Sequence, residues 1–89
     1  MRTINIFYYL IGNENVTFNL NEETTADYTS KTITYNIKDY DEVELYNKML
    51  DDFDAEFDDE IANGLNVLTR QVYKELKKRG VKCDSATQE

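Results

Sequence analysis

Ile33-Thr34-Tyr35-Asn36-Ile37-Lys38-Asp39-Tyr40-Asp41-Glu42-Val43-Glu44-Leu45-Tyr46 is the stretch on which the fold turns. Up to Ile37 the apolar side chains fall on every second residue, the period of a half-buried strand. From Val43 onward they recur at spacings of three and four, the period of an amphipathic helix. The chain therefore changes from sheet to helix between Ile37 and Val43.

Towards the N-terminus the two-residue period recurs twice more. Ile4, Ile6, Tyr8 and Leu10 share one face of a first strand, with Asn5, Phe7 and Tyr9 on the other. Val16, Phe18 and Leu20 alternate with Thr17 and Asn19, and Ile33, Tyr35 and Ile37 alternate with Thr32, Thr34 and Asn36. These β-branched and aromatic residues suit a pleated, half-buried surface. Gly12-Asn13-Glu14-Asn15 supplies residues that tolerate positive φ, as a hairpin connection needs. The polar residues 21–31 read as a long loop before the third strand. An antiparallel meander is the simplest topology.

Towards the C-terminus, Val43, Tyr46, Leu50, Phe53, Phe57 and Ile61 form a helical stripe, continued by Leu65, Leu68, Val72 and Leu76. Asp39 followed by Glu42 fits a capping box with Asp as the N-cap. Gly80, after Lys77-Lys78-Arg79, is a helix stop. An unbroken helix over 40–79 would run about 60 Å, too long for so small a domain. A break is expected near Asp58 or at Asn63-Gly64. The expected fold is α+β: a three-stranded antiparallel sheet followed by two helices packed on one face (βββαα). Residues 1–80 form one domain and 81–89 a tail.

Composition narrows the chemistry. The 89 residues carry a net charge of −8, with a pI near 4.4. Phosphate binding draws on clustered Lys and Arg, so this balance argues against direct contact with nucleic acid or an anionic membrane. With no histidine and one cysteine, Cys83, the chain lacks a Cys/His zinc set and an internal disulfide partner. No run approaches the roughly 20 apolar residues of a membrane span. The N-terminus reads as a strand rather than a signal segment. The cytoplasm is the expected compartment, with no cofactor.

Charge is segregated along the chain. Residues 1–38 carry net −1, residues 39–60 net −10 and residues 61–89 net +3. The middle segment holds Asp39, Asp41, Glu42, Glu44, Asp51, Asp52, Asp54, Glu56, Asp58, Asp59 and Glu60 against Lys48 alone. On a continuous helix, Asp41, Glu44, Asp51, Asp52, Asp58 and Asp59 would lie opposite the apolar stripe. Eleven carboxylates over about 33 Å would give one per roughly 3 Å, near the roughly 3.4 Å between phosphates on one DNA strand. A solvated face would also be charged, but normally with Lys and Glu interleaved for mutual support. Here Glu44 and Lys48 are the one such pair expected. The partner-binding set read from this pattern is Asp41, Glu44, Asp51, Asp52, Asp54, Glu56, Asp58, Asp59 and Glu60, with Tyr28 and Tyr40 as aromatic contacts.

Asp51-Asp52-Phe53-Asp54-Ala55-Glu56-Phe57-Asp58-Asp59-Glu60, with the acids from Asp39 to Glu44, gives the chain its resemblance to phage-encoded inhibitors of bacterial defence. These include DNA-mimic antirestriction proteins and anti-CRISPR proteins, which share physics rather than a diagnostic motif. The resemblance implies a non-catalytic inhibitor in the cytoplasm of a host cell. Its partner would be a protein with a basic nucleic-acid-binding groove, such as a CRISPR effector or another nuclease.

Other readings of the same residues are weaker. A calcium loop starting at Asp52 would need Gly at its sixth position and Glu at its twelfth, where the chain has Phe57 and Asn63. Neither a Ser/His/Asp set nor a glycine-rich phosphate loop is present. Arg70, Lys74, Lys77, Lys78, Arg79 and Lys82 offset the helix dipole and could neutralise the nearby acids. Phe7 and Tyr9 would be exposed on the open sheet face, which supports the rival reading: a small assembly module, monomeric or homodimeric, whose acids only keep it soluble.

Overall fold

In the computed structural model, which describes residues 2–80, alternation places the apolar residues of the strands in one layer. Strand β1 (Arg2–Ile11) pairs antiparallel with β2 (Asn15–Thr24), setting Ile6 against Leu20, Tyr8 against Phe18 and Leu10 against Val16. Strand β3 (Tyr28–Asn36) pairs with the far side of β2, setting Phe18 against Ile33 and Val16 against Tyr35. The order is β1-β2-β3, so β1 and β3 are both edges. Gly12, at φ 64°, makes the first turn.

Residues 21–31 do not form the expected loop. Both strands continue through them to the pair Glu23–Tyr28. The turn is held by Thr24 and Asp27: the Asp27 N–H donates to Thr24 Oγ1 at 3.0 Å, and the Thr24 N–H donates to the Asp27 carbonyl at 2.8 Å. Residues 23–30 are exposed, so neither face needs apolar side chains. The backbone ladder and a threonine turn shape this end, and they leave no alternation to read.

A 3₁₀ turn (Ile37–Asp39) leads to helix α1 (Glu42–Asp52). Its capping box uses Asp41 and Glu44 rather than Asp39 and Glu42. Leu45 and Met49 are its buried residues, with Tyr46 and Leu50 of the expected stripe half-buried against the same core, whereas Val43, which begins that stripe, is 66% exposed. The chain breaks over residues 53–58, where Phe53 and Ala55 are buried and Asp54 takes φ 55°. Aspartate is a poor helix-interior residue, and its concentration here favours the break. Helix α2 (Asp59–Lys78) starts on Asp58 as N-cap, with Asn63 and Gly64 inside it. Gly80, at φ 78°, follows the last turn as expected.

Both helices lie on one face of the sheet. Their buried side chains, including Leu45, Met49, Ile61, Leu65, Val72 and Leu76, join Val16, Phe18, Leu20, Tyr35 and Ile37 in one core. Rings of Tyr8, Phe18, Tyr35 and Tyr40 pack in series, with centroids 5.9–6.3 Å apart. At Gly64, α2 touches β1: an added Cβ would lie 2.7 Å from Ile6 Cδ1. The proposed tail, 81–89, lies outside the described residues, as does Cys83.

Candidate binding surface

The break in the helix divides the acidic segment, so its carboxylates do not form one continuous ridge. Five of the eleven are engaged. Asp41 accepts from the Glu44 N–H at 2.8 Å, and Glu44 accepts in return from the Asp41 N–H at 3.0 Å. Asp52 accepts from the Tyr35 hydroxyl at 2.8 Å and pairs with Lys48 at 3.2 Å. Lys48 therefore supports Asp52 rather than Glu44. Burial, then this hydrogen bond, pushes the Tyr35 hydroxyl pKa upward. Asp58 caps α2 by accepting from the Ile61 N–H at 3.3 Å, and it also pairs with Arg2. The Arg2 guanidinium holds the Asp58 carboxyl below the usual carboxylate range. Glu60 lies 3.8 Å from the same guanidinium, which also pairs with Glu22 at 2.7 Å.

The other six acids (Asp39, Glu42, Asp51, Asp54, Glu56 and Asp59) are exposed, and their side chains make no hydrogen bond or ion pair with any described residue. Two of them, Asp54 and Glu56, lie in the α1–α2 connection, and Asp51 and Asp59 flank it at the end of α1 and the start of α2. Within it Phe57 is 97% exposed. Sequence periodicity put this ring in the core stripe. The chain leaves the helix at Asp52, so the spacing from Phe53 to Phe57 carries no helical phase. The legible signal was the acidic run itself, which breaks the helix and releases its aromatic.

Among the described residues, the basic C-terminal residues make no ion pair with these acids, and Lys82 lies outside those residues. Among the described residues, Arg79 pairs with Glu75 at 3.3 Å, and no ion pair joins residues 70–79 to residues 39–60. Lys77 and Lys78 sit in the last turn of α2, where they oppose its dipole.

The two tyrosines of the expected contact set are placed differently. Tyr40 is half-buried: its ring meets Tyr35 edge-on at 6.0 Å, and its carbonyl accepts from the Tyr73 hydroxyl. It is a packing residue. Tyr28 is 60% exposed on the open sheet face, where its hydroxyl donates to Asn21 Oδ1 at 3.2 Å. That face also carries Phe7, Tyr9 and Ile11, each 42–51% exposed. Between them Thr17 bonds Thr34 at 2.9 Å and Asn19 bonds Thr32 at 2.6 Å. Among the described residues of this highly charged chain, the face has Glu23 as its sole ionised residue.

No family model, no curated protein and no solved structure matches the chain. Among the described residues, no three carboxylates or other ligating groups gather as a metal would require, and no helix is long and apolar enough to cross a membrane.

Proposed function

We propose that the chain is a non-catalytic inhibitor whose acidic α1–α2 connection occupies a basic nucleic-acid-binding groove of a host defence nuclease, such as a CRISPR effector. The observation that carries this reading is Phe57, fully exposed amid Asp54, Glu56 and Asp59. A phenylalanine ring left in water forgoes about 2–3 kcal/mol of burial. Docking into a pocket recovers that energy, and aromatic anchors dominate interface energetics. The surrounding carboxylates steer the encounter with a basic partner and make it sensitive to salt. The contact set is therefore Phe57 with Asp51, Asp54, Glu56 and Asp59. Asp41, Glu44, Asp52 and Asp58 hold the fold.

The test is capture of partners from a host lysate on the immobilised chain, at low and high salt, with duplex DNA as competitor. A basic nucleic-acid-binding protein released by either treatment, and lost with Phe57→Ser, supports the reading. Retention of the same partner by Phe57→Ser and by the combined Asp51→Asn, Asp54→Asn, Glu56→Gln, Asp59→Asn variant would refute it.

A second reading rests on the open sheet face. Asn19 Oδ1 is buried there without a hydrogen-bond partner, and the face is aromatic and nearly uncharged. Association of two copies through it would persist in high salt, which sedimentation would detect.

A further inference from the structure

The two edges of the sheet are not equivalent. Edge β3 carries Lys31, which points to the helix side and donates to the Asp52 carbonyl at 2.5 Å. An inward-pointing charge of this kind protects an edge from pairing with another chain. Edge β1 has its one inward-pointing charge at its first residue, Arg2, which pairs with Asp58 and Glu60, and none along the rest of the strand. From Thr3 to Ile11 it contains no charged residue, and the chain contains no proline. Beside β1 runs an open groove of about 470 Å³, bounded by Ile4 and Ile6 on the strand and by Gly64, Val67 and Leu68 on α2. Val67 is 52% exposed at its wall. Glu60 closes one end, next to Arg2.

We propose that this edge and groove bind an extended basic segment of a partner protein, added to the sheet as a fourth strand. Backbone hydrogen bonds to β1 would supply affinity, and alternate side chains would enter the groove. Helix α2 runs in the same sense as β1, since Asp58 and Glu60 meet Arg2 whereas Gly64 meets Ile6. An antiparallel added strand therefore ends at Glu60. Among the described residues, three carboxylates there (Glu22, Asp58 and Glu60) share one guanidinium, an excess of two negative charges at that corner. The fitting segment has apolar residues at every second position and Lys or Arg at its C-terminal end. A second copy of the chain is a poor occupant. It brings another −8 of charge, and its own β1 has as its sole cation Arg2, which is already shared.

The probe is the acetylated, amidated peptide Val-Thr-Ile-Thr-Val-Thr-Lys, titrated into the full chain and followed by backbone and methyl NMR. The expected result is saturable binding with shifts confined to β1 and to Ile4, Ile6, Val67 and Leu68. A version with proline at the central threonine should bind at least about tenfold more weakly, because it lacks a ladder N–H. Val67→Asp should weaken binding by about tenfold, and Glu60→Gln should abolish the preference for Lys over Thr at the peptide's end. Retained amide dispersion would show both variants to be folded. Shifts on β3, at Thr17 or Asn19 of the open sheet face, or at residues 53–59 would overturn the proposal. So would equal binding of the proline peptide, no saturation by about 1 mM, or self-association through β1 without peptide. Phe57→Ser should leave this titration unchanged, so failure of the edge and failure of the acidic loop are read separately.

Discussion

Replacing Asp58 separates the acids that build the fold from those assigned to a partner. Its carboxylate caps α2 through the Ile61 N–H and also pairs with Arg2. Loss of an N-cap costs about 1 kcal/mol. The ion pair is partly exposed, and screening reduces it to a few tenths of a kcal/mol. The first turn of α2 carries Ile61, which is 4% exposed, so fraying there opens the core. Asp58→Ala should therefore destabilise the domain by about 1–1.5 kcal/mol. At roughly 4–8 °C per kcal/mol for a domain of this size, the midpoint should fall by about 4–12 °C. Asp58→Asn keeps a capping oxygen and loses only the ion pair, so its loss should stay below about 0.5 kcal/mol. Thermal and urea unfolding followed by far-UV circular dichroism measures both. An Asn variant as damaged as the Ala variant, or an Ala variant within about 0.3 kcal/mol of the parent, would refute the capping argument. On the same reasoning Asp58→Asn retains partner capture, whereas Asp59→Asn weakens it and lowers stability by no more than about 0.3–1 kcal/mol, the worth of an acid in the first helical turn.

Phe57→Ser should leave stability within about 0.5 kcal/mol, because the ring touches solvent alone, while partner capture falls by more than tenfold. Phe18 has no exposed surface, so Phe18→Ala should cost about 3–5 kcal/mol and abolish the cooperative unfolding transition or bring it close to ambient temperature. Tyr35→Phe removes the hydroxyl that Asp52 accepts from, and urea titration should show a loss of about 0.5–1.5 kcal/mol. The depressed Asp58 pKa contributes stability that is fully present above its unfolded value of about 3.9. That contribution is lost as pH falls through the lower folded value, so acid unfolding of Asp58→Asn should show a shallower limb below about pH 4.

The sheet was legible wherever a helix covers it. Ile6, Tyr8, Phe18 and Tyr35 alternate because one side faces the core and the other does not. The pairing of residues 21–23 with 28–30 was invisible because no apolar face is required at that end. The helix stop at Gly80 was readable, since a positive φ favours glycine. Helix phase was harder. Val43 and Phe57 are apolar and correctly spaced, yet α1 turns Leu45 and Met49 inward and ends before Phe57. Composition found the acidic segment but not its division into capping, ion-paired and unpartnered carboxylates. That division depends on Arg2 and Tyr35, which reach the segment from distant strands.

Gly64 acts as a notch that fixes the axial position of α2. Ile6 fills the space where a side chain would begin, so α2 can sit low on β1 only at that residue. Sliding the helix by one turn would present Glu60 or Leu68 to Ile6, and neither fits beneath a helix at that depth. An alanine at position 64 asks only that the tip of Ile6 swing aside, whereas a branched or long side chain would lift the whole helix. The alignment of two layers thus depends on position 64 staying no larger than alanine, and a bulkier residue there would be felt along the entire length of α2.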